Sequence, residues 1–155
     1  MPVLAILLSV LGLVPLVLCG LAAVGPDTET AARMLNLLIG YAALVLAFAG
    51  GVHWGFELQS PHADRWGGRL RLAVPVAALL AGWLALELPM VVAPLGSLIV
   101  LIVAYVGAVL VEQRAAKSSL LPPHYLWLRW GFTVPAVAML VTVFTLRVLG
   151  QTIAF

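Results

Sequence analysis

His53 and Glu57 stand four positions apart and form the ionisable pair of this sequence best placed to do chemistry. On a helix, an i, i+4 spacing brings two side chains onto one face and into contact. An imidazole beside a carboxylate can hold or pass a proton near neutral pH. Gly50 precedes them on the same face and Trp54 adjoins them. A second group, Tyr125, Trp127, Arg129 and Trp130, sets a cation among aromatic rings. Arg129 is the expected counter-charge of Glu57, with Arg71 as the alternative, because a carboxylate in apolar surroundings costs far less when a guanidinium pairs with it. His53, Trp54, Glu57, Arg129 and Trp130 are therefore the candidate functional cluster. A second reading stands beside that one: the same residues cap a helix end, fix its packing and anchor it among lipid headgroups, where tryptophan and arginine are common.

Other chemistries find little support. His53, His62 and His124 show no HExxH spacing, and only His53 falls inside an apolar run, so neither a metal nor a bis-histidine haem is expected. The single cysteine, Cys19, excludes an internal disulfide. No phosphate-binding glycine loop, GxSxG serine or CxxC pair is present. The expectation is a non-enzymatic protein without a cofactor.

The elements that must position these residues are apolar. Of 155 residues, 64% are hydrophobic and 9% charged, and mean hydropathy is +1.16. A soluble domain carries about a quarter charged residues, so the lipid bilayer is the expected surrounding. Five runs are long enough to cross a hydrocarbon core of about 30 Å. They place helices near residues 3–24, 34–57, 70–88, 90–112 and 126–147 in one domain, 1–155. The first run has no Lys or Arg before it, unlike a cleaved leader. The third and fourth require a hairpin at Glu87-Leu88-Pro89. The fold expected is an all-α membrane protein, a five-transmembrane-helix bundle.

Basic residues set its orientation. Arg65, Arg69, Arg71, Arg114, Lys117 and Arg129 fall on one side, Arg33 and Arg147 on the other. Six against two places the N-terminus in the cytoplasm and the C-terminus in the periplasm, and assigns the basic residues to orientation rather than to nucleic acid. Asn36, Glu87, Tyr41, Tyr105 and Glu112 complete the polar inventory and leave the helix middles almost without polar groups, which opposes a wide aqueous pore. Ala43, Ala47, Gly51 and Gly55 recur every fourth residue, a stripe that admits close approach of a helix from this chain or from a second copy. Val-Pro recurs at residues 14–15, 74–75 and 134–135, read here as kink sites rather than as a repeat.

The segment Phe48-Ala49-Gly50-Gly51-Val52-His53-Trp54-Gly55, with Leu128-Arg129-Trp130-Gly131-Phe132-Thr133, resembles an uncharacterised family of small membrane proteins, domain of unknown function 3429, which includes mitochondrial transmembrane protein 69. The resemblance spans nearly the whole chain. It implies an inner-membrane location and makes Gly51, Trp54, Gly55 and Arg129 the better candidates for a shared site; it supplies no reaction. The functional expectation is an accessory component of the bacterial inner membrane, partnered by lipid and by a second copy or a membrane complex. The alternative is a small-solute or proton translocator gated by His53, Glu57 and Arg129.

Overall fold

The computed structural model describes residues 3–59, 66–91, 93–117 and 123–150. They form five helices: α1 (Val3–Ala22), α2 (Thr28–Leu58), α3 (Trp66–Val91), α4 (Pro94–Lys117) and α5 (Pro123–Val148). Successive helices pack side by side, and α1 closes against α5. α2 also touches α4 across the middle, so it is the hub of the bundle. Four helices contain stretches long and apolar enough to cross a membrane: Thr28–Leu58, Leu72–Val91, Pro94–Ala116 and His124–Val148. In α1 the apolar stretch is Ile6–Ala22.

The helices begin and end where local chemistry dictates, and several extend beyond the apolar runs. α2 starts at Thr28, not near residue 34, because the Asp27 carboxylate accepts a hydrogen bond from the Thr30 N–H at 3.1 Å and so supplies an N-cap. Glu29, in the first turn, pairs with Arg33 one turn on. With 31 residues α2 is about 46 Å long, more than the hydrocarbon thickness, so a polar first turn is expected outside it.

The turn between α3 and α4 also differs from the expectation. Pro89 lies inside α3, and the chain leaves the helix after Val91 and enters α4 at Pro94. A proline disfavours helical geometry in the residue before it and fits the first position of a helix, where its missing N–H has no partner to lose. Pro94 therefore sets the turn, and Pro89 removes a single hydrogen bond near the end of α3.

The core is aliphatic, with Leu16, Leu38, Leu46, Leu98, Leu101 and Leu140 fully buried. Leu44, Phe48, Met90, Val103 and Trp127 face outward, as lipid-exposed side chains do. Two tyrosines tie helices together through backbone oxygens: Tyr105 Oη donates to Ala42 O at 2.9 Å and Tyr41 Oη to Gly12 O at 2.6 Å.

The closest approach of α2 to α3 does not use the whole expected stripe. A Cβ on Gly82 would lie 3.1 Å from Ala43 O, and one on Gly50 would lie 3.2 Å from Pro75 O. Ala43 and Gly50 thus form the contact face. Ala47 is half-buried, and Gly51 and Gly55 are exposed, with no described atom within 4 Å of a Cβ placed on either. The reason is helical geometry. Each four-residue step overshoots a full turn by about 40°, so a stripe from 43 to 55 winds about 120° around the helix. The seven-residue step from Ala43 to Gly50 drifts only about 20°.

Candidate functional site

The two ends of the bundle hold polar groups of different kinds. At the end where α2 and α4 finish and α5 begins, His53, Glu57, Glu112, Arg129 and Thr133 are all buried. His53 Nε2 and Glu57 Oε1 lie 3.9 Å apart on α2, as the spacing predicts. The partner of Arg129, however, is Glu112: Arg129 Nε donates to Glu112 Oε2 at 2.8 Å. The expected pairing of Arg129 with Glu57 is thereby corrected. The other expected partner of Glu57, Arg71, has its side chain outside the described residues, as do His62 and Arg65 entirely.

The topology explains this choice. α4 and α5 form an antiparallel hairpin, with Glu112 five residues before the end of α4 and Arg129 six residues after the start of α5. At 1.5 Å per residue these are depths of about 8 and about 9 Å, so the two meet at one level. Glu57 is the last residue but one of α2 and lies nearer the helix end. Glu112 was legible as a polar residue, yet only the position of the hairpin turn reveals its match to Arg129.

Register brings His53 close to the same level. Tyr105 bonds to Ala42, joining α4 to α2. Past that bond, His53 is about 16 Å along α2 and Glu112 about 10 Å along α4, a difference of about one turn. The layer therefore contains two carboxylates, one guanidinium and one imidazole from α2, α4 and α5. Ionisable groups are costly at membrane depth unless paired, and the Glu112–Arg129 bond meets that condition.

The aromatic members of the expected cluster lie elsewhere. Trp54 and Trp130 are exposed and face outward, as in an interfacial belt. Tyr125 is half-buried, and its ring meets Phe56 edge to face with centroids 5.1 Å apart, which joins α5 to the end of α2. His124 is exposed. Among the described residues, no three His, Cys, Asp or Glu side chains come together to hold a metal.

Beside the polar layer, α1, α2 and α5 enclose a lateral groove of about 380 Å³. Gly12, Tyr41, Phe48, Tyr125 and Phe132 contribute to its walls, and Arg129 reaches it from the layer. Arg129 is 6% exposed, and its Nη2 has no hydrogen-bond partner among the described residues, like Thr133 Oγ1 one turn further along α5.

Four helices able to cross a bilayer, an exterior of large apolar side chains and a set of ionisable groups turned inward define a multi-pass membrane helical protein. The chain belongs to the family described as protein of unknown function DUF3429, which matches residues 1–145. No curated protein and no solved structure matches it.

Proposed function

We propose that the chain is a non-enzymatic component of the bacterial cytoplasmic membrane that assembles with itself or with a larger membrane complex. In this reading α1 is a fifth crossing, the N-terminus and the polar layer face the cytoplasm, and the C-terminus faces the periplasm. The bias of basic residues supports that orientation.

One observation carries the preference for assembly over transport: the polar layer ends against a closed aliphatic core. Leu38 and Leu46 of α2, Leu98 and Leu101 of α4, and Leu140 and Val143 of α5 are all fully buried or nearly so. A conducting path needs polar lining or a hydrated cavity through this region. Assembly has a surface ready for it on the outward face of α2, where exposed Gly51 and Gly55 adjoin exposed Trp54 and let a second helix come close.

The same geometry makes the test clean. Gly51→Leu with Gly55→Leu should leave the packing of the described residues intact, because both positions are exposed and no described atom lies within 4 Å of a Cβ at either. A complex extracted from native membranes in mild detergent should dissociate in the double variant; a wild-type chain that migrates alone would refute the reading. Translocation remains the second reading because His53 and Glu57 are in contact and buried within a membrane-crossing helix. Proton flux into liposomes that disappears with Glu57→Gln would put it first.

A further inference from the structure

The threonines of α5 use their hydroxyls in two ways. Thr142 and Thr145 are exposed on the outside of the bundle, and each donates through Oγ1 to the carbonyl four residues back, Ala138 O and Val141 O, at 2.8 Å. Lipid offers no partner, so a threonine facing it turns to its own backbone. Thr133 does not do this, although Arg129 O stands at the equivalent position. It is 2% exposed, and its Oγ1 is buried with no hydrogen bond among the described residues.

Arg129 precedes Thr133 by four residues and so lies on the same face of α5. Its Nε donates to Glu112 at 2.8 Å, while Nη2, equally buried, has no acceptor among the described residues. One turn apart, inside the bundle, α5 thus presents a donor that lacks an acceptor and a hydroxyl that lacks any partner. Leaving either unmet in this setting is costly.

The chemistry of the two groups restricts what can meet both. A cation is repelled by the guanidinium, and an anion meets the Glu112 carboxylate that already balances that charge. A neutral molecule that accepts from Nη2 and exchanges a hydrogen bond with a hydroxyl satisfies both groups without adding charge. Both atoms are closed off from the molecular surface, which excludes a lipid or a solute reaching them from outside. Water is small enough to be enclosed with them. Two hydrogen bonds of about 2.8 Å through one water span up to about 5.5 Å, close to the rise of one helical turn.

We propose that a buried water molecule bridges Arg129 Nη2 and Thr133 Oγ1 and forms the floor of the polar layer. Enclosed waters of this kind are regular parts of folded proteins where buried polar groups converge. The water carries the layer one turn past Arg129, and there it ends, because Ala136, Leu140 and Val143 continue this side of α5 as aliphatic core. Thr133 is then a positioning residue: through the water it holds the guanidinium that Glu112 pairs with. The inference is independent of the assembly role proposed above, which uses the outward face of α2.

The test uses the full chain, deuterated and back-exchanged, in bilayers of deuterated lipid, with proton-detected solid-state NMR. At short mixing times magnetisation should pass from water to the Arg129 guanidinium protons and to Thr133, and not to Thr142. Thr133→Val should weaken the transfer to Arg129 at least about fivefold, and Thr133→Ser, which keeps the hydroxyl, should preserve it. Thr133→Val should also lower the folding equilibrium constant in mixed micelles about tenfold, the scale of one hydrogen bond. A hydroxyl that was merely unmet would give the opposite sign, since valine removes it at nearly the same shape. No transfer to Arg129 in the wild-type chain, transfer unchanged in Thr133→Val, or a Thr133→Val chain at least as stable as wild type would each overturn the proposal. Lost stability without any water transfer would overturn it too, by assigning Thr133 a direct contact with Arg129.

Discussion

α5 carries a buried arginine near its start and a half-buried one near its finish, and the two are used in opposite ways. Arg147 donates to Ala23 O through Nε and Nη2 at 3.1 and 2.8 Å, and to Ala31 O at 2.8 Å. Ala23 follows the last residue of α1 and Ala31 lies in the first turn of α2, so this guanidinium latches the α1–α2 turn. A cation beside the last carbonyls of a helix also meets the negative end of its dipole. Arg129 instead donates to a side chain, Glu112, and both charges are buried inside the bundle. An arginine whose donors go to backbone carbonyls holds the fold. One that pairs with a carboxylate inside the bundle leaves each charge dependent on the other.

The strongest test of that contrast is to break the buried pair. Glu112→Leu or Arg129→Leu alone leaves one charge uncompensated inside the bundle and should cost about 3–5 kcal/mol. The double substitution should recover most of this, because it leaves no charge behind. Unfolding in mixed micelles measures all three, and additive single losses would show that the two residues do not act as a pair. At the other end, Arg147→Met should cost less, about 1.5–3 kcal/mol, by removing a charged donor from two carbonyls. Hydrogen exchange should rise locally around residues 23–31 and stay unchanged near Glu112. If exchange rises equally at both ends, Arg147 is not a local latch.

The smallest effect concerns Asp27, on the surface at the Arg147 end. Its hydrogen bonds from Thr30 hold the carboxyl below the usual carboxylate range. A lowered pKa means that the capping contribution is present above the ordinary aspartate pKa and lost as pH falls through the lowered value. Acidification below about pH 4 should therefore fray the first turn of α2, and Asp27→Ala should mimic this at neutral pH. Amide exchange at Thr30 and Ala31 reports both, and an acid response that persists in Asp27→Ala would assign it to another group.

How legible these features were depended on distance along the chain. The i, i+4 relation of His53 and Glu57 could be read directly, because a helix determines which of its own residues meet. The membrane-crossing segments could be read from apolar length. Helix ends were less legible: hydropathy located the oily part of α2, while the Asp27 cap started the helix earlier. The turn into α4 was assigned to Pro89 although Pro94 is the proline that occupies a first helical position. The small-residue stripe was read as one packing surface for a helix of this chain or of a second copy, whereas helical winding carries Gly51 and Gly55 away from the face that holds Ala43 and Gly50.

By itself, the sequence determined that this chain is a bundle of apolar helices with its ionisable groups concentrated at few places, because periodicity and solvent preference are local properties of a helix. Only the tertiary structure decided that Glu112 answers Arg129, that Arg147 closes the α1–α2 turn and that a groove opens beside the polar layer. Those outcomes depend on register between helices distant in sequence, which is set by the Pro94 turn, by the Tyr105–Ala42 bond and by packing at Gly50 and Gly82.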